Sequence, residues 1–240
     1  MKWNILISLI IIGILVVWGV TSDGFEHNPL DTFYSFSLEN KTVEETLPDG
    51  YLKIEYPLTK YEVLNEAIKT FVDSEQKSFK ENIKGLTTIS SAKGNLEINY
   101  KSYLSDRIIS LQFDESMDTG GAHGNFTTTT FNYDIKLNKI LKTQDLFKDP
   151  NQYLQNISSI VKPRLKLELE KIQFQDDIWL EEGAGPKEVN YKQFVCTADG
   201  ITFFFNPYQV APYAAGAQDI TITYPELVSY LLSEYSQLKF

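Results

Sequence analysis

The 240-residue chain carries 22 Lys and Arg against 32 Asp and Glu, a formal net charge of −10 at pH 7. Lys2 is the only charged side chain among the first 22 residues, so the remainder holds 21 basic and 32 acidic groups, a net of −11. Such a surface excludes a nucleic-acid partner, which needs a basic patch. The single cysteine, Cys196, excludes an intramolecular disulfide, and 15 Phe with 14 Tyr supply the aromatic mass for a core that must hold the fold unaided.

Residues 3–20, WNILISLIIIGILVVWGV, have only Asn4 and Ser8 as polar side chains. That run is about as long as a ~30 Å hydrocarbon core requires. Lys2 before it and Asp23, Glu26 and Asp31 after it predict a single-pass protein of the cell membrane, N-terminus inside and C-terminal domain outside. Residues 1–22 are expected to be a transmembrane anchor, and residues 23–31 a polar spacer. A cleaved signal peptide is the alternative, although no small-x-small site follows the apolar core.

Beyond the spacer, Leu52, Ile54 and Tyr56 alternate with Lys53 and Glu55, which predicts a half-buried strand ended by Pro57. Thr59 and Glu62 have the spacing of a capping box. Tyr61, Leu64, Ile68, Phe71, Val72, Phe79 and Ile83 then form one apolar stripe, so a helix is expected over residues 59–84. Residues 95–105, 107–113 and 125–134 read as strands with short antiparallel connections. A second helix is expected over residues 151–170, kinked or interrupted at Pro163, and Gly183-Ala184-Gly185-Pro186 reads as a break in an acidic loop. Asp199-Gly200 marks a hairpin between two more strands, Ile220, Ile222 and Tyr224 alternate as another, and Pro225 opens a terminal helix. The expected fold is α+β: an antiparallel sheet with two main helices, preceded by one N-terminal transmembrane helix.

Chemistry-bearing patterns are few. His27 and His123 are the only histidines, which excludes a three-His zinc site, and no His-x-x-x-His pair, Gly-x-Ser-x-Gly elbow or phosphate-binding glycine loop occurs. No metal and no cofactor is expected; a mixed site of His123 with Asp114, Glu115 or Asp118 is the one arrangement left open. Cys196 lies in a predicted strand and reads as a buried, inert thiol. Two loops stand out. Residues 118–125, DTGGAHGN, place three glycines and His123 between strands; residues 206–216, NPYQVAPYAAG, combine Pro, Tyr and Gly. A plain hairpin connection and turn packing are the bland readings of both. As a ligand surface they would present Gly120, Gly121, His123, Asn125, Tyr208, Pro212 and Tyr213, with rigid aromatic contacts preorganised by proline.

TGGAHGN followed by FNYD and DLF, and DGITFFFNPYQVAPYAAG ahead of Pro225-Glu226-Leu227, resemble the bacterial RsiV/PdaC-like extracytoplasmic domain. Residues 32–113 are similar to its companion N-terminal half, and residues 114–240 to its RsiV-like C-terminal half. The resemblance implies an α+β domain outside a Gram-positive-type cell that recognises the envelope or lysozyme. Family members include a membrane-bound anti-sigma factor that captures lysozyme and peptidoglycan deacetylases with a separate catalytic domain. Here only Met1 and Lys2 precede the apolar run, and no Asp/His/His metal set follows the module. The expected function is therefore a membrane-anchored, non-enzymatic binding or sensing module for lysozyme or a peptidoglycan-type glycan. The alternative is a cell-wall-modifying hydrolase or deacetylase accessory using His123.

Overall fold

The computed structural model describes residues 38–89 and 92–240. Strands β1 (Glu39–Leu47) and β2 (Gly50–Leu58) form a hairpin that leads into helix α1 (Glu62–Asn82) and the single turn α2 (Leu86–Ile89). Strands β3 (Gly94–Leu104), β4 (Ile108–Asp118), β5 (Asn125–Asp134) and the two-residue β6 (Lys139–Ile140) complete a six-stranded sheet in sequence order. All neighbours are antiparallel except β2 and β3, which are parallel. The expected antiparallel sheet is thus a mixed one. The cause is α1: a crossover helix carries the chain back to the end at which β2 began, so β3 must run the same way.

Helix α1 buries Leu64, Ile68, Val72 and Phe79, as its stripe predicts. Phe71 packs on Phe113 and Phe131 at ring separations of 5.1 and 5.9 Å. Each such ring taken from water stabilises the layer by roughly 1.5–3 kcal/mol. The capping box does not form. The helix starts one turn edge later than Thr59, whose hydroxyl takes the Tyr61 amide at 2.9 Å while Asn65 reaches back to the Thr59 amide and carbonyl.

The second layer contains helix α3 (Tyr153–Lys171), helix α4 (Asp177–Ala184) and a three-stranded antiparallel sheet of β7 (Phe194–Cys196), β8 (Gly200–Phe205) and β9 (Gln218–Thr223). The short α5 (Tyr224–Leu227) follows, with a Thr223–Glu226 capping box. Pro163 lies inside α3 without ending it, and Leu165 and Leu169 are buried at helical spacing while Leu167 faces out. The acidic loop expected around residues 176–186 is α4, capped by Asp176, whose carboxylate accepts the Ile178 and Trp179 amides.

The two layers meet through a polar seam. On the face of the first sheet opposite α1, Ser110, Thr130 and Asn132 bond to the backbone of β7: Thr130 Oγ1 accepts the Phe194 amide, Ser110 Oγ accepts the Cys196 amide, and Asn132 Nδ2 donates to the Phe194 carbonyl. The outer edge of β5 is completed by side-chain amides, Asn206 Oδ1 taking the Thr128 N–H and Gln193 Oε1 the Thr130 N–H, both at 2.8 Å. Buried backbone groups left unpaired are costly, so this seam fixes one docking register. The boundary expected between residues 113 and 114 falls inside β4.

The expected placement as a single-pass protein of the cell membrane is corrected. Among the described residues no helix is long and apolar enough to cross a membrane. Helices α1 and α3 each bury one apolar stripe and carry charges on the other face. Residues 3–20 and the spacer 23–31 lie outside the described residues.

Candidate functional site

The seam places the two unusual loops side by side. Asp118 accepts the Gly120 amide at 2.8 Å and starts the turn after β4. Gly120 has φ +81°, and a Cβ there would sit 2.7 Å from a Leu86 methyl, so this position requires glycine. Beyond the turn, His123 stacks on Tyr213 with ring centroids 3.9 Å apart and planes 21° from parallel. Tyr208 closes the cluster, 5.6 Å from the Tyr213 ring.

Hydrogen bonds fix the orientation of these rings. The Gly124 carbonyl accepts from the Tyr213 hydroxyl at 2.7 Å and from His123 Nδ1 at 2.9 Å, which puts a proton on Nδ1. His123 Nε2 lies 3.3 Å from the Tyr208 hydroxyl and, in that tautomer, accepts from it. His123 and Tyr208 are exposed and Tyr213 is half-buried beneath them. The sequence-expected residues His123, Tyr208 and Tyr213 are therefore brought together. Gly120, Gly121, Asn125 and Pro212 shape the loops around them: Asn125 opens β5 opposite Met117, and Pro212 leads into a turn of 3-10 helix, Tyr213–Ala215.

The open arrangement of His123 with nearby carboxylates does not form, because alternate strand residues point apart. Asp114 takes the Gln112 amide and the Thr128 hydroxyl on the seam face. Glu115 lies buried on the α1 face beside Glu75, where burial and that second carboxyl push its pKa up to about 7. Asp118 is committed to Gly120. Among the described residues no group of three or more His, Cys, Asp or Glu is arranged to hold a metal ion. Cys196 is buried, and burial pushes its thiol up to about 12, so it stays protonated.

Sequence reasoning missed the backing of the site. Trp179 Nε1 donates to the Tyr208 carbonyl at 3.0 Å, and Gln209 Nε2 donates to the Gly183 and Asn190 carbonyls at 3.0 and 3.1 Å. A Cβ on Gly183 would lie 1.8 Å from the Gln209 carbonyl oxygen, so α4 packs its backbone directly on this loop. The available signal was Asp176 ahead of Ile178, Trp179 and Leu180, a cap before apolar residues, which the following Gly-Ala-Gly obscured.

Residues 144–225 match the family described as "Protein of unknown function (DUF3298)". The chain is 33% identical over 184 residues to "Peptidoglycan-N-acetylmuramic acid deacetylase PdaC" of Bacillus subtilis, covering 76% of this chain and 39% of that protein. It is 31% identical over 105 residues to "Immunogenic protein MPT64" of Mycobacterium tuberculosis, covering 44% of each. The chain thus spans about two fifths of the length of these curated relatives. Among solved structures, a DUF3298 family protein from Pseudomonas aeruginosa aligns with TM-score 0.64 at 17% identity, over 83% of this chain and 96% of that one. A DUF3298 member from Bacteroides fragilis aligns with TM-score 0.58 at 19% identity, over 83% and 94%. These two likenesses bear out the fold.

Proposed function

The chain carries a DUF3298 domain related to PdaC, and on that premise we propose that it is a non-enzymatic recognition module for a peptidoglycan-type glycan, read by His123, Tyr208 and Tyr213. One observation carries the reading: His123 and Tyr208, 85 residues apart in sequence, meet at the surface over Tyr213. Tyrosine offers a rigid apolar face to sugar C–H groups and a hydroxyl to sugar oxygens, with little side-chain entropy to lose. Both His123 ring nitrogens are engaged by the loops, which supports a positioning role over proton transfer. The resemblance to PdaC, named for its action on peptidoglycan, supports the ligand class.

A second reading has its own observation. The net charge of −11 beyond residue 22 would steer the domain toward a cationic protein such as animal-type lysozyme, and the exposed aromatic tip would enter its sugar cleft.

Titrating the purified protein with a soluble chito-oligosaccharide and, separately, with lysozyme at low and physiological salt tests both readings. Glycan binding that persists in salt supports the first. Lysozyme binding that the oligosaccharide displaces supports the second. Binding to neither overturns both, and lysozyme binding that ignores the sugar and vanishes at physiological salt overturns the second.

A further inference from the structure

We infer that α4 is the positioning element of this site: Trp179, without being part of the ring cluster, holds Tyr208 in the conformation that presents its ring. The inference rests on the reading of the loops as a binding surface, yet its physical content is separable from any ligand.

Tyr208 has φ +69°, in the left-handed region that L-residues with a bulky side chain avoid. A residue stays there only where its surroundings over-determine it, and such residues gather at ligand clamps. The surroundings of Tyr208 do so from three sides. Trp179 donates its indole N–H to the Tyr208 carbonyl. The next residue, Gln209, is tied through its side chain to the Gly183 and Asn190 carbonyls and through its amide to the Asn206 carbonyl at 3.0 Å. Asn206 in turn is hooked to the β5 edge at Thr128.

The element that supplies the clamp is itself tied down. Asp176 caps α4 at the residue that carries the indole, taking the Trp179 amide at 2.9 Å. Trp179 packs edge-on against Phe174 at 5.9 Å. Ion pairs Lys166–Asp177 at 2.8 Å and Lys162–Glu181 at 2.5 Å join α4 to α3, and Ser158 donates to the Ala184 carbonyl at its far end. A rigid α4 removes the conformational cost that a free Tyr208 loop would impose on each binding event.

Two measurements on the full chain decide the matter. Trp179→Phe keeps an aromatic ring beside Phe174 and deletes the N–H together with part of the indole. Amide hydrogen exchange at Gln209 is expected to speed up by roughly tenfold in this variant with the melting temperature unchanged, since the opening is local. NMR line-shape titration with chito-oligosaccharide is expected to show roughly fivefold weaker binding with an unchanged dissociation rate, because fewer molecules hold the competent loop. Tyr208→Ala, by contrast, raises the dissociation rate. Unchanged exchange at Gln209 in Trp179→Phe overturns the clamp whether or not a glycan binds. Normal binding by Trp179→Phe beside lost binding by Tyr208→Ala overturns the positioning role and leaves the binding surface standing. Absence of binding by the wild type overturns the proposed function, and faster exchange would still support the clamp. Should Trp179→Phe fail to fold, Gln209→Met, which deletes the two amide donations from the same loop, must give the same faster exchange or the inference falls.

Discussion

The two faces of the six-stranded sheet bury polar groups in opposite ways. On the α1 face, Glu115 lies among Phe113, Met117 and Ile98 with a second carboxyl, Glu75, as its neighbour and no cation among the groups that shift it. On the opposite face Ser110, Thr128, Asn132 and Asp134 are as deeply buried, but each has its partners. A polar layer with several partners per group specifies one arrangement of the parts it joins, whereas two carboxyls hydrogen-bonded to each other hold together only while one of them keeps its proton. The first face makes stability fall as pH rises toward neutrality. The second sets where the 206–216 loop lands, and hence whether there is a site at all.

Removing Asp134 is expected to have the largest effect. Burial alone would raise its pKa, but the Leu137 and Lys136 amides, Arg107 and Tyr235 together outweigh it and hold the carboxylate below its ordinary range. Asp134→Ala strands the Arg107 cation, itself largely buried, and should cost about 3–5 kcal/mol in chemical denaturation at neutral pH. Because the folded pKa is depressed, that contribution is present above the unfolded carboxyl pKa and is lost as pH falls through the lower folded value. A loss below about 1 kcal/mol would mean that the seam is not held as described.

Glu115 gives the opposite sign. The unfolded carboxyl ionises near 4.5 while the folded one keeps its proton to about 7, so the folded chain binds more protons between those values. Stability should therefore fall as pH rises through that window, by at most about 3 kcal/mol. Glu115→Gln should flatten the profile and stabilise the protein at pH 8 relative to pH 5. A wild-type profile that is flat from pH 5 to pH 8 would contradict the pairing with Glu75.

Smaller still is Asn206→Ala, which leaves the Thr128 N–H unpaired and should cost about 1–3 kcal/mol. Its value lies in a second readout. Losing the hook at Asn206 should broaden the Tyr208 and His123 resonances, while those of α1 stay sharp. Equal broadening in both regions would erase the distinction between the two faces.

What the sequence discloses follows the same division. The α1 face is legible because Leu64, Ile68, Val72 and Phe79 repeat at helical spacing and Leu111, Phe113 and Met117 at strand spacing. The seam is not: the run Thr127-Thr128-Thr129-Thr130 has no alternation of polarity, so nothing marks Thr128 and Thr130 as bonded to Asn206 and Gln193. The parallel pairing of β2 with β3 is equally silent, being a consequence of where α1 returns the chain. His123, Tyr208 and Tyr213 were readable as loop residues of special composition, but their contact depends on the docking of two sheets. Trp179 was hidden by the glycines that follow it: Gly183 serves close packing against Gln209 inside the helix, and Gly185 caps the helix at its end.

The central claim is that the ligand surface is the His123–Tyr208–Tyr213 cluster. Chemical-shift mapping of the labelled protein during titration with a soluble chito-oligosaccharide addresses it most directly. The largest perturbations are expected at His123, Tyr208 and Tyr213 and in the glycine loop around Gly120 and Gly121, with smaller ones at Trp179. Perturbations centred on α1 or on the β1–β2 hairpin, with the three rings unmoved, would contradict it.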